Sequence, residues 1–128
     1  MIPTSRSWLD NIAAILSLSS YLSLNPTEPA RPPTAPPLTL QTILVALIKA
    51  YEIQGCLQQC NAFNAVGLDH VILVKVASSA VGSWLLGLGE EQAVHAISHA
   101  WVDGAPLRTY RQAPNAGPRK GWAGGDAW

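Results

Sequence analysis

The sequence predicts a mainly α-helical domain, and three observations carry that prediction. Apolar residues recur at intervals of three and four in successive runs, most of the ten prolines are gathered in one stretch, and no run alternates apolar with polar over a strand's length. At 128 residues the chain is about one domain long.

The first helix is expected to open near Asp10 or Asn11, both good N-caps, and to run to about Leu24. Ile12, Ile15, Leu16, Leu18 and Leu22 would form its apolar stripe. With 13 residues and several hydroxyls, IAAILSLSSYLSL falls short of the roughly 20 apolar residues of a membrane span and reads as a core helix. Residues 26–37, PTEPARPPTAPP, follow. Proline lacks a backbone donor and fixes φ, so this run predicts an extended surface connector.

Thr39 is the expected N-cap of a second helix, LQTILVALIKAYEIQGCLQQC, with Leu40, Ile43, Leu44, Leu47, Ile48, Tyr51 and Ile53 at helical spacing. Gly55 inside it suggests a close crossing. Cys56 and Cys60 lie one turn apart, a spacing that rarely suits a disulfide, and no second pair completes a zinc site. Buried, reduced thiols are expected, and with them a reducing compartment. NAFNAVG then forms a turn ending at Gly67.

VILVKV alone could be a strand, since β-branched residues favour sheets. Its continuation, ASSAVGSWLLG, extends the run to about 18 residues, whereas strands stop at about ten. A helix apolar on most sides, and so buried on most sides, is predicted. Gly87 to Gly89 make a corner. Glu90 and Glu91 complement the dipole of a last helix, EEQAVHAISHAWV, that ends near Asp103-Gly104.

Composition bounds the partners. Only 12% of residues are charged, about half the usual share, and eight basic residues balance eight acidic ones. No global field points to nucleic acid or an acidic membrane. A chain 48% hydrophobic and so poor in charge is expected to bury surface against another subunit or a further part of its own protein. The tail after Asp103 differs. Arg108, Arg111, Arg119 and Lys120 are half of the basic residues, with no acid before Asp126. Among glycines and prolines they form either a solvated loop or a patch for a polycarboxylate or phosphate.

Two histidine features stand out. His95 and His99 are one helical turn apart, a zinc-ligating spacing, but no third ligand or H-E-x-x-H base accompanies them. Asp69-His70 opens the third helix directly after Gly67-Leu68. Asp69 can cap it, and the positive helix end favours a neutral His70 able to take a proton. Lys75 is expected to snorkel to a rim or meet Glu52 or Asp69.

YEIQGCL, VGLDHVILVKVASSAV, LLGL, AWVDG, LRTYR, APN and RKGWAGGDA, in that order, resemble the 2-methylcitrate dehydratases of the MmgE/PrpD family, and DNIAAIL is similar to that family's D-N-x-x-A-I-L helix. The resemblance implies part of the all-helical MmgE/PrpD N-terminal domain over 1–128, truncated at both ends. It implies a lyase that removes water from 2-methylcitrate to give 2-methyl-cis-aconitate in propionate catabolism, without metal or cofactor, in proteins that commonly form homodimers. His70 matches the family's active-site histidine, and Lys120 matches the lysine opening K-x-x-x-x-G-x-A. Dehydration of a tricarboxylate needs proton transfer and cations facing the carboxylates. That implies catalytic roles for His70 and Lys120, with Arg108 and Arg111 as further contacts to the substrate's carboxylates. Asp69, beside His70, is expected as a substrate contact as well. The compartment implied is mitochondrial for a eukaryotic source and cytoplasmic otherwise, although no Arg-rich transit peptide is visible. Where the family reads G-H-P-S-D-N, this chain reads Arg6-Ser7-Trp8-Leu9-Asp10-Asn11, so Ser7 replaces a site histidine. A hydroxyl cannot carry protons as imidazole does at neutral pH. The expectation is therefore a dehydratase-like slice, inactive alone. The alternatives are a non-catalytic fragment that binds a full-length homologue or another partner through apolar helix faces, and a small metal-binding protein using His95 and His99.

Overall fold

The computed structural model describes residues 8–27, 31–104 and 106–110. They form α1 (Trp8–Leu24), α2 (Leu40–Cys60), α3 (Val71–Leu86) and α4 (Glu90–Val102), with 3₁₀ turns at Phe63–Val66 and Arg108–Tyr110. Among the described residues there is no strand, only an isolated antiparallel bridge between Leu68 and Leu107.

α3 is the hub, because α1, α2 and α4 all pack on it. Val71, Ile72, Leu73, Val74, Val76, Ala77, Val81 and Leu85 are buried. VILVKV is therefore helix, as its length predicted, and covered on most sides. Its C-terminus stops at Gly87, whose φ of 74° suits the left-handed cap.

α2 departs from expectation. Thr39 caps it as predicted, accepting from the Thr42 amide at 3.1 Å. Its buried face, however, is Thr42, Ala46, Ala50 and Gln54, while Leu40, Leu44 and Ile48 are 74, 53 and 60% exposed. Small residues one turn apart let the backbone approach α3 closely. Ala46, Ala50 and Ala77 join Ile15, Val81 and Leu85 in one core cluster, with Ile43, Leu47 and Ile53 packed at its edge. By length and composition alone α2 could cross a membrane, at a mean hydropathy of 1.2 over 18 residues of which 22% are buried. Among the helices read from the sequence, only the first is weighed as a span. Cys56 and Cys60, in the last two turns of α2, are exposed, not buried. Among the described residues a Cβ on Gly55 would meet nothing within 4 Å, so no close crossing is seen there.

α1 begins at Trp8, ahead of the expected caps. Asn11 is instead fully buried. Its amide donates to Gln54 Oε1 at 2.5 Å and accepts from Ser78 Oγ at 3.2 Å, which clasps α1, α2 and α3 together. A buried amide is tolerated when its hydrogen bonds are made. Leu16, expected on the apolar stripe, is 48% exposed.

The proline-rich connector does more than span a gap. Arg31 donates to the Leu85 carbonyl from Nη2 at 2.8 Å and to the Pro36 carbonyl at 2.6 Å, satisfying an acceptor that the end of α3 leaves open. Pro32 and Ala35 press on Gly87 so closely that a Cβ there would lie 2.6 Å from the Ala35 Cβ. The close approach sought at Gly55 is here.

Candidate functional site

The corner before α3 is built locally. Gly67, at φ 85°, ends the 3₁₀ turn and redirects the chain. Asp69 is 3% exposed, and its Oδ1 accepts the Val71 amide at 3.2 Å. The carboxylate thus satisfies an amide at the start of α3, as the sequence suggested, but the helix starts at Val71 with His70, not Asp69, at the cap position. The His70 Nδ1 lies 3.2 Å from the same Oδ1, and its side chain is 24% exposed. A half-buried imidazole against a buried carboxylate, at a helix mouth, can take or give a proton.

A second segment arrives from far along the chain. The Asp69 amide donates to the Pro106 carbonyl at 2.8 Å, and the Arg108 amide donates to the Gly67 carbonyl at 2.9 Å. These bonds bring the backbone at Arg108 alongside Gly67–Asp69. Arg111 and Lys120 lie outside the described residues, as do Ser7 and Arg119. No local sequence signal marks the pairing, since its partners are about forty positions apart.

α4 braces the corner from another side. Phe63 stacks on Trp101 with ring centroids 5.9 Å apart. Lys75 donates to the Asp103 carbonyl at the end of α4 rather than meeting Glu52 or Asp69. That carbonyl is an orphan acceptor within reach of a lysine emerging from α3.

His95 and His99 are both exposed on α4. Among the described residues no group of three or more His, Cys, Asp or Glu could hold a metal ion. A hollow of about 380 Å³ on α2 is lined by Ile48, Tyr51, Glu52, Gly55, Cys56 and Gln59, and includes none of the residues singled out for the site. Burial pushes the Tyr51 phenol above its usual pKa.

The sequence matches the MmgE/PrpD N-terminal domain over residues 7–128. It is 62% identical over 118 residues to the 2-methylcitrate dehydratase-like protein oryR of Aspergillus oryzae, covering 92% of this chain and 23% of that protein. It is 56% identical to the alkylcitrate dehydratase phiI of a fungal species, over 92% of this chain and 23% of that protein. Identity to the 2-methylcitrate dehydratase of Escherichia coli is 54%, over 92% of this chain and 24% of that enzyme. The chain therefore spans about a quarter of the length of these curated relatives.

Proposed function

We propose, from the premise that this chain belongs to the MmgE/PrpD family through its N-terminal domain, that it carries part of a hydro-lyase site for a tricarboxylate of the 2-methylcitrate type. The observation that supports this reading most is the corner itself. His70 stands against a buried carboxylate at the start of the most buried helix, and the base of the basic tail is hydrogen-bonded alongside.

The chemistry follows from those groups. In dehydration a base removes a proton from the carbon beside a carboxylate, and the C–H electron pair forms the new C=C bond. The neighbouring C–O bond breaks, and the hydroxyl accepts a proton and leaves as water. His70 is assigned proton transfer. Lys120, Arg108 and Arg111 are assigned the carboxylates, whose negative charge grows as the proton departs. Asp69 is too buried to offer a face to the substrate, so a direct contact is not part of this reading.

The isolated chain should show little or no turnover, because an incomplete constellation loses catalysis far more than additively. The direct test is a chimera in which residues 7–128 replace the matching segment of the Escherichia coli relative. Dehydration of 2-methylcitrate is then followed by ultraviolet absorbance of the conjugated product. His70→Ala should lower kcat by about 10²–10⁴-fold, and Lys120→Ala should chiefly raise KM. A folded, active chimera that is indifferent to His70→Ala overturns the reading.

A second reading is favoured by one observation, the exposed row Leu40, Leu44 and Ile48 on α2. Here the chain acts as an interaction fragment that binds a full-length relative or a second copy of itself. Co-purification with the Escherichia coli relative, abolished by Leu44→Glu with Ile48→Glu, would support it. A monodisperse monomer that captures neither would dismiss it.

A further inference from the structure

We infer that Asp69 is a positioning residue: one carboxylate oxygen both starts α3 and holds the His70 imidazole with its proton on Nδ1. The inference rests on the reading of His70 as the proton-transfer group and goes beyond it, since a substrate contact is the role expected of Asp69 from the sequence.

Three observations carry it. Asp69 Oδ1 accepts from the Val71 amide at 3.2 Å and lies at the same 3.2 Å from His70 Nδ1. Asp69 is 3% exposed, so its carboxylate faces the chain's own groups rather than a ligand. The backbone on both sides is fixed, by the Asp69 amide on the Pro106 carbonyl and by the Leu73 amide on the His70 carbonyl at 3.1 Å.

The consequence is chemical. A carboxylate accepts from a ring N–H and repels a ring lone pair, so the neutral imidazole keeps its hydrogen on Nδ1. Nε2 then carries the lone pair, on the ring edge away from Asp69. The atom that can take a proton from a carbon acid is selected by the same oxygen that fixes where α3 begins. Ring orientation and helix start are coupled through it, and a shift of one shifts the other.

Substitution separates the two tasks. Asparagine and serine are good N-caps, so Asp69→Asn and Asp69→Ser should keep the melting temperature close to that of the parent chain. Both lack the carboxylate charge. Nitrogen-15 and carbon-13 NMR of the labelled 128-residue chain should show neutral His70 as Nδ1–H in the parent, shifting toward Nε2–H in both variants. Asp69→Ala should lose the cap and the tautomer together. A parent His70 protonated on Nε2, or variants with the parent's tautomer, overturns the inference.

In the chimera, Asp69→Asn should lower kcat by about ten-fold or more with KM little changed, as expected of a group that acts through His70. A raised KM with unchanged kcat would make Asp69 a substrate contact and also overturn the inference. A tautomer shift on Asp69→Asn, alongside a chimera indifferent to His70→Ala, removes the catalytic reading and leaves the positioning one standing.

Discussion

α2 and α3 lie side by side and are both rich in leucine, isoleucine, valine and alanine, yet the fold treats them differently. α3 buries Val71 to Val74 as a continuous block, while α2 buries two alanines, a threonine and a glutamine and leaves Leu40, Leu44 and Ile48 outside. Hydropathy measures what a helix could bury; the number of neighbours decides what it does bury. α3 is packed by three helices, whereas α2 rests on α1 and α3 and shows its remaining faces.

The contrast breaks or sharpens on three measurements. The largest effect is expected from Leu73→Ala, since Leu73 is fully buried. It should cost about 2–5 kcal/mol in urea unfolding. Leu44→Ala removes the same atoms from a half-exposed site and should stay within about 0.5 kcal/mol. Equal losses would mean that α2's outer row is covered in solution. Asn11→Ala comes next, at roughly 1–3 kcal/mol in the same assay, because it removes the buried hydrogen bond from Asn11 to the Gln54 carbonyl. A neutral result would show that alanine packing alone seats α2.

The smallest effect concerns Tyr51, whose phenol has a pKa raised above 10.0 by burial. Folding favours the neutral phenol, so this contribution is fully present below about pH 10 and fades as pH climbs through the raised folded value. Tyr51→Phe should flatten that part of the alkaline loss in thermal melts between pH 9 and roughly 11. An unchanged alkaline slope would place the phenol in solvent.

Much of the architecture was readable because it is local. Helical period and length identified the four helices, Thr39 announced its cap, and Asp69 declared the start of α3. The buried face of α2 was not readable, since apolar residues surround that helix and alanine carries little hydropathic signal. Asn11 looked like a cap because capping and burial both select a short amide. The thiols looked buried because cysteine usually is. At the candidate site, Asp69-His70 could be found from adjacency. The return of Pro106–Arg108 to Gly67 could not, because nothing in either segment names the other.

That return also sets an order of events during synthesis. A ribosome adding about 5–20 residues per second needs roughly two to eight seconds to go from Gly67 to Arg108. α3 and the whole of α4 are made in that interval, before the bonds that close the entrance to α3 can form. Translation halted just after Gly104 would release all four helices with the His70 doorway still unlatched.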